Sequence, residues 1–426
     1  MNAIGVTGSM TNKNSPFYGN RTKQPAAGLG WIIIAALIAA LAAGLRPAGP
    51  GRAAGGFGAP VDWNSAGLTN AALAWGDYDA DGDLDLLAAG LEGDTPVTRV
   101  YQNDGSGALT PLYALAGAEA GGAAWADFNL DGYLDLAVTG RVAGVDVYQT
   151  HVYLYDAPST AFQELIVPDD PVEGLVALQG LYGGAVAWGD YDADGDPDLA
   201  ITGEEANNTL PVTRLYENTF AGGQRTLKLV TNSALPGFSN STAAWCDFDQ
   251  DGDADLLLSG RSTTGLKTAI YRWNVSTGSF EDSGVALPGL LSPAAACGDY
   301  DADGDPDLLL AGARGLFQVG AYVYRNPEWT RVDLQGASYP AAAWGDVNED
   351  GYLDAVVAGR VSTSGSQDQT IVYIYDPIAD TFSPTDAGLT GVRRGALAFG
   401  DANGDGDLDL ALAGQSLAGN VAELYF

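Results

Sequence analysis

Two cysteines, one histidine and 19 lysines and arginines are all that these 426 residues contain of those types. Each scarcity closes a route. Two thiols make no disulfide framework. No Cys/His constellation, H-E-x-x-H or G-x-S-x-G motif occurs, so metalloprotease and serine-hydrolase chemistry have no footing. His151 stands beside a tyrosine-bearing strand and is expected to be structural. Cations are few against 54 Asp and Glu, a formal net charge of −35. Phosphate binding needs clustered cations, which argues against nucleic acid and anionic membrane surfaces as partners. Cys246 directly precedes an Asp-rich loop, and Cys297 sits two residues before the next one. In strands of period two that offset turns them to opposite faces, so both are expected as small core residues and not as a bonded pair.

Long apolar runs are also scarce, with one exception. Residues 26–45 (AAGLGWIIIAALIAALAAGL) carry no charge and are just long enough to span a bilayer. Lys13, Arg21 and Lys23 precede the run, and the first acidic residue is Asp62. Basic residues on that flank favour its staying inside. The expectation is export, either by a signal peptide cleaved after Ala42 or by an uncleaved signal-anchor helix. The chain then divides into a basic region (1–25), the hydrophobic helix (26–45), a Gly/Pro/Ala linker (46–56) and one domain (57–426) outside the cytoplasm.

That domain is repetitive. A nine-residue loop, D-x-[DN]-x-D-G-x-x-D, begins at Asp77, Asp127, Asp190, Asp247, Asp299, Asp346 and Asp401. Two residues before each stands Trp75, Trp125, Trp188, Trp245, Cys297, Trp344 or Phe399, and thirteen residues after each stands a glycine. Every copy then carries a tyrosine in an apolar stretch, from Tyr101 to Tyr425. Alternating β-branched and aromatic residues bounded by Gly, Asn and Asp read as four short strands per copy. Four-stranded units repeated this often predict an all-β fold, a seven-bladed β-propeller. The seventh copy ends after its third strand, while the segment GFGAPVDWNSAGLTN before the first resembles a fourth strand. The N-terminal strand is therefore expected to complete the last blade and remove an exposed edge.

The loops have the chemistry of a calcium site. Ca²⁺ takes six to eight oxygen ligands, which acids at alternate loop positions and one backbone carbonyl supply, with glycine at position 6 permitting the turn. Positions 1, 3, 5, 7 (by its carbonyl) and 9 are Asp77, Asp79, Asp81, Asp83 and Asp85 in the first loop, and Asp127, Asn129, Asp131, Tyr133 and Asp135 in the second. They are Asp190, Asp192, Asp194, Asp196 and Asp198 in the third, and Asp247, Asp249, Asp251, Asp253 and Asp255 in the fourth. The fifth has Asp299, Asp301, Asp303, Asp305 and Asp307, the sixth Asp346, Asn348, Asp350, Tyr352 and Asp354, and the seventh Asp401, Asn403, Asp405, Asp407 and Asp409. Position 12, a glutamate in helical EF-hands, is apolar in every copy (Ala88 in the first), so these are strand-loop-strand sites. Thirty of the 54 acids stand at these five positions of the loops, a density that asks for cations. Up to seven structural Ca²⁺ are expected, one per blade.

At these residues the chain resembles the FG-GAP/VCBS repeat family, whose best-known members are the propeller heads of integrin α-subunits. The resemblance spans residues 57–426 and implies calcium at the loop positions above. It also implies an extracellular or cell-surface setting, and in integrins partner proteins bind the face away from the loops. No D-x-S-x-S adhesion motif occurs and the integrin leg domains are absent. The expected role is an interaction or adhesion scaffold, monomeric, not an enzyme, with a protein or carbohydrate ligand and no membrane contact beyond the N-terminal helix. A carbohydrate-active propeller, lectin-like or a polysaccharide lyase or hydrolase, is the alternative. Trp63, Trp273 and Trp329, outside the repeated Trp position, could stack on sugars as exposed rings, but covering blade surface is the favoured expectation for each.

Overall fold

A computed structural model describes residues 56–426 apart from 64, 120, 143–147, 166, 168–177, 206–207, 316–317 and 362–366. The hydrophobic segment 26–45 lies outside the described residues. Among the described residues there is no helix, and none therefore long and apolar enough to cross a membrane. The fold is all-β and every strand pairing is antiparallel.

The first copy shows how the sequence builds its unit. Thr69–Gly76, Asp85–Glu92, Thr95–Asn103 and Leu109–Glu119 pair in chain order. The aspartate loop joins the first strand to the second, in the register Gly76↔Asp85 and Trp75↔Leu86. The second strand is buried on both faces, which is why it reads as an apolar run (Leu86, Leu87, Ala88, Ala89) and does not alternate. The repeated tyrosine sits opposite it, Leu86↔Tyr101, and all seven tyrosines are buried. In the last copy Arg393–Gly400, Asp409–Ser416 and Gly419–Tyr425 are joined by Val61–Asp62, paired Val61↔Leu424 and Asp62↔Glu423. The N-terminal strand thus occupies the fourth place of the last copy.

The first strand of the unit carries a register shift, between Thr69 and Ala72 in the first copy. Asn70 at the shift has φ of 49°, and Asn240, Ser292, Tyr339 and Arg394, each seven residues before their loop, have the same left-handed backbone. The glycine thirteen residues into each copy packs across this bulge. At Gly90, φ is +152° and a Cβ would meet the Thr69 carbonyl oxygen and Ala71 Cα at 3.0 and 3.2 Å, so only glycine fits.

Successive copies pack face to face, and the core is a series of interfaces between them. One cluster joins Leu87, Val100 and Tyr78 of the first copy to Trp125, Leu136 and Val138 of the second. Another joins Trp75, Leu86 and Tyr101 of the first to Ala411, Ala413 and Leu424 of the last. In four of the five copies that carry it, all but Trp188, the repeated tryptophan lays its ring against the preceding copy and donates to a first-strand carbonyl there. The bonds are Trp125 Nε1 to Ala74 O (3.1 Å), Trp245 to Ala187 O (3.2 Å), Trp344 to Ala296 O (3.2 Å) and, between first and last copies, Trp75 to Ala398 O (3.1 Å). The glycine that precedes five of the loops (Gly76, Gly189, Gly298, Gly345 and Gly400) leaves room for the ring of the following copy.

One expectation fails here. Cys246 and Cys297 form a disulfide, with Cα atoms 6.7 Å apart. The opposite-face argument is sound within one strand but these residues belong to two. Cys246 stands where five other copies have the accommodating glycine (the second has Ala126), and Cys297 where five others have the tryptophan (the last has Phe399). Those two positions of neighbouring copies face each other, so opposite faces become the two sides of one interface. The bond ties the fourth copy to the fifth, where no indole does.

Candidate metal-binding loops

All seven loops have one internal design. The position-1 aspartate accepts from the backbone N–H groups of positions 5 and 6, as Asp77 does from Asp81 (3.0 Å) and Gly82 (3.0 Å) and Asp346 from Asp350 (3.0 Å) and Gly351 (2.8 Å). The position-5 carboxylate accepts from the N–H of position 7, as Asp303 does from Asp305 (3.0 Å). Gly82, Gly132, Gly195, Gly252, Gly304, Gly351 and Gly406 at position 6 all have φ between 91° and 99°, the left-handed turn that the glycine was read to permit.

Position 9 does more than close the loop. Asp307, fully buried, accepts from Asn326 N (2.9 Å) in the following strand segment and from Tyr300 N (3.1 Å) in the loop. Asp85, Asp135, Asp198 and Asp354 make the same pair of bonds, and Asp255 and Asp409 are bound to loop N–H groups. The carboxylate staples loop to sheet, a structural role that spacing alone does not reveal. Burial pushes these acids up, to about 7 in Asp85, Asp354 and Asp409, about 8 in Asp135, Asp255 and Asp307, and about 9 in Asp198, against partial relief from the backbone N–H groups.

Four loops gather three carboxylates with ligand atoms within 4.8 Å of one another. These are Asp77, Asp79 and Asp85; Asp190, Asp192 and Asp194; Asp247, Asp249 and Asp251; and Asp299, Asp301 and Asp303. Within three of them the position-3 residue, Asp79, Asp192 or Asp301, buries an Oδ1 that has no hydrogen-bond partner. An orphaned buried carboxylate oxygen beside two other carboxylates is costly without a cation and well placed with one. In the second, sixth and seventh loops position 3 is asparagine, and Asn129, Asn348 and Asn403 donate from Nδ2 to the position-5 aspartate at 3.0, 3.0 and 3.1 Å. Those loops are partly satisfied from within. The donor set throughout is oxygen, which suits a hard cation.

The three unpaired tryptophans are not exposed. Trp63 is 2% exposed and packs within the cluster joining the first and last copies. Trp273 stands against Tyr191 and Phe280, at 4.7 and 5.1 Å between ring centroids, and Trp329 against Phe248 at 5.7 Å. Each fills the gap between a loop and the following copy's hairpin, which offers more apolar area than solvent. His151 is buried, stacked on Tyr153 and bonded through Nδ1 to Glu164 Oε1 at 2.7 Å. Among the described residues the exposed aromatics are Phe220, in the hairpin between the third and fourth strands of the third copy, and Tyr182 and Tyr339, both at the end of the first strand away from the aspartate loop.

Comparison with known proteins fits this geometry. The model of the FG-GAP-like repeat matches residues 77–138, 190–258, 247–310 and 299–357, together more than half of the chain. The chain belongs to the FG-GAP-like repeat family. Among solved structures it is similar to that of an Agrocybe aegerita lectin, described as specifically recognising non-reducing terminal N-acetylglucosamine. Identity there is 16%, over 74% of this chain and 80% of that one, with a TM-score of 0.48. It is also similar to an exotype rhamnogalacturonan lyase, YesX, at 12% identity over 84% of this chain and 72% of that one, TM-score 0.43. Likenesses this distant do not bear on what the chain binds. No curated protein matches it.

Proposed function

We propose that the chain is an exported, seven-bladed β-propeller whose loops hold calcium as a structural ion, and that it serves as an extracellular interaction scaffold. The observation that carries this reading is the shared loop design, with three carboxylates gathered in four of the loops and buried position-3 oxygens left without donors in three of those. Residues 57–426 form the propeller domain, preceded by the basic region, the hydrophobic segment and the linker. The residues that would hold calcium are the acids and asparagines of positions 1, 3 and 5 and the carbonyl of position 7. Position 9 orients the loop and adds its charge. A bound cation would offset the mutual repulsion of these groups and tie the first strand of each copy to the second.

Export is supported by the charge pattern around residues 26–45 and by the Cys246–Cys297 disulfide, a bond that persists in oxidising compartments. For the ligand, the face away from the loops is the better candidate. Tyr182 (42% exposed) and Tyr339 (44% exposed) stand there, and Arg394 lies 4.7 Å over the Tyr339 ring. A rigid frame displaying loops and exposed aromatics is how binding surfaces are built.

The test is the melting temperature of residues 57–426 with calcium and with chelator, followed by binding to glycan and protein arrays in both. Calcium should raise the melting temperature, and chelation should lower it without dispersing the β-structure. A melting curve indifferent to calcium would sink the structural role. Array binding lost on Tyr182→Ala or Tyr339→Ala would place the ligand on that face, whereas binding untouched by both would remove it.

A further inference from the structure

The seven loops differ in what neutralises them. Arg272 and Arg325 occupy matching places, one residue beyond the buried tyrosines Tyr271 and Tyr324 of the third strands. Each reaches the position-3 aspartate of its own copy's loop. Arg272 Nη1 lies 3.1 Å from Asp249 Oδ2, and Arg325 Nε lies 2.7 Å from Asp301 Oδ2. Arg325 is itself held, donating from both terminal nitrogens to Asp380 (2.6 and 3.2 Å) with its guanidinium 5.4 Å over the Tyr300 ring. Only Oδ2 of Asp301 is engaged, and its buried Oδ1 keeps no partner. In the first copy the same place holds Gln102, a neutral donor at 3.4 Å to Asp79 Oδ2. That loop keeps all five acids with no cationic side chain paired to them among the described residues.

We propose that Arg272 and Arg325 are built-in counter-ions, which clamp one oxygen of Asp249 and Asp301 and leave the other for a cation. The fourth and fifth loops then stay ordered without calcium and bind it more weakly, while the first loop binds it most tightly. This rests on the calcium reading given above. The two arginines are positioning residues, acting on calcium through the aspartates they hold. A fixed positive charge one ligand away from a divalent ion opposes its binding. At a separation of about 6 Å in near-aqueous surroundings this amounts to about tenfold in affinity.

The experiment is calorimetric calcium titration of the domain, with melting in chelator, for wild type, Arg272→Met/Arg325→Met and Arg272→Lys/Arg325→Lys. Methionine keeps the apolar stem and removes the charge, and lysine keeps the charge. Two sites of the methionine variant should tighten about tenfold, and its calcium-free melting temperature should fall. The lysine variant should stay near wild type in affinity. Should the methionine pair fail to fold in chelator, the single Arg272→Met variant, at the more exposed of the two arginines (39% against 25%), is titrated instead with the same expectation. A methionine variant with wild-type affinities and wild-type calcium-free melting overturns the proposal alone. A wild-type protein that takes up no calcium overturns the calcium reading and the proposal with it.

Discussion

Asp307→Asn offers a direct test of how the loops are held when calcium is withdrawn. Asp307 is wholly buried and accepts one backbone N–H on each oxygen, from Asn326 and Tyr300. Burial pushes its pKa up to about 8, the backbone donors opposing and the neighbouring Asp301 and Asp303 charges adding. The unfolded value is about 3.9. Between these limits the folded, calcium-free protein holds a proton that the unfolded chain has released. Stability is therefore favoured at low pH and lost as pH rises from about 4 toward 8. One group can contribute at most about 1.4 kcal/mol per pH unit, and relaxation with water entry reduces this to about 1–2 kcal/mol across the window. Asparagine cannot ionise, and it retains only one acceptor for the two donors. In chelator at pH 5 the variant should be less stable than wild type by about 1–2 kcal/mol, and the gap should narrow or reverse by pH 8. Urea denaturation at pH 5, 6.5 and 8 measures it. A gap that is the same at pH 5 and pH 8 would refute the reasoning, because Asp307 would then carry no shifted proton.

Three further outcomes follow from the same geometry. Asp307→Ala strands two buried N–H groups and should cost about 2–5 kcal/mol in urea denaturation at any pH, more than the asparagine variant. Trp344→Phe removes the 3.2 Å bond to the Ala296 carbonyl between the fifth and sixth copies and should cost about 1–2 kcal/mol, read as a lower urea midpoint at unchanged slope. Reduction of the Cys246–Cys297 bond, 51 residues apart in sequence, or the Cys246→Ser/Cys297→Ser pair, should cost about 2–4 kcal/mol, and thiol titration of the protein purified without reductant should find no free cysteine.

The loops were legible because each position has a separate physical demand. Acids at 1 and 5, glycine at 6 and a buried acid at 9 recur together, and the structure gives each a distinct backbone partner. The strands were legible for a similar reason, since Trp75, Gly90 and Tyr101 mark three contacts that every copy must make. What escaped were relations between copies. Cys246 and Cys297 stand where other copies have glycine and tryptophan, so their joint replacement was visible in the aligned repeats. Its meaning required knowing that those two positions face each other across an interface. The tryptophans left two readings: lying outside the repeat suggested rings open to sugars, while the favoured role was covering blade surface, and Trp63, Trp273 and Trp329 do pack against neighbours. Arg272 and Arg325 meet Asp249 and Asp301 only through strand pairing, at sequence separations of 23 and 24. No local pattern announces such an ion pair.

Two kinds of adhesion operate in this molecule, and they lie at different places. Between copies the core contacts are apolar and indole-to-carbonyl, and the polar contacts to neighbouring side chains, such as Gln250 to the Asp305 carboxylate and Arg325 to Asp380, lie outside that core. Within a copy the loop end is held by carboxylates bound to backbone N–H groups, which satisfies the donors and leaves the negative charges facing one another. The first kind is indifferent to cations, and the second is not. Thirty acids can therefore gather at the loops of a protein with so few cations without breaking the sheet. The charge is confined to one end of each unit, position 9 is buried deeply enough to keep a proton when no cation is present, and the interfaces carry the fold. A cation at the loop then sharpens a shape that the backbone bonds already define. Copies with asparagine at position 3, or with an arginine beside it, have settled part of the charge from within the chain itself.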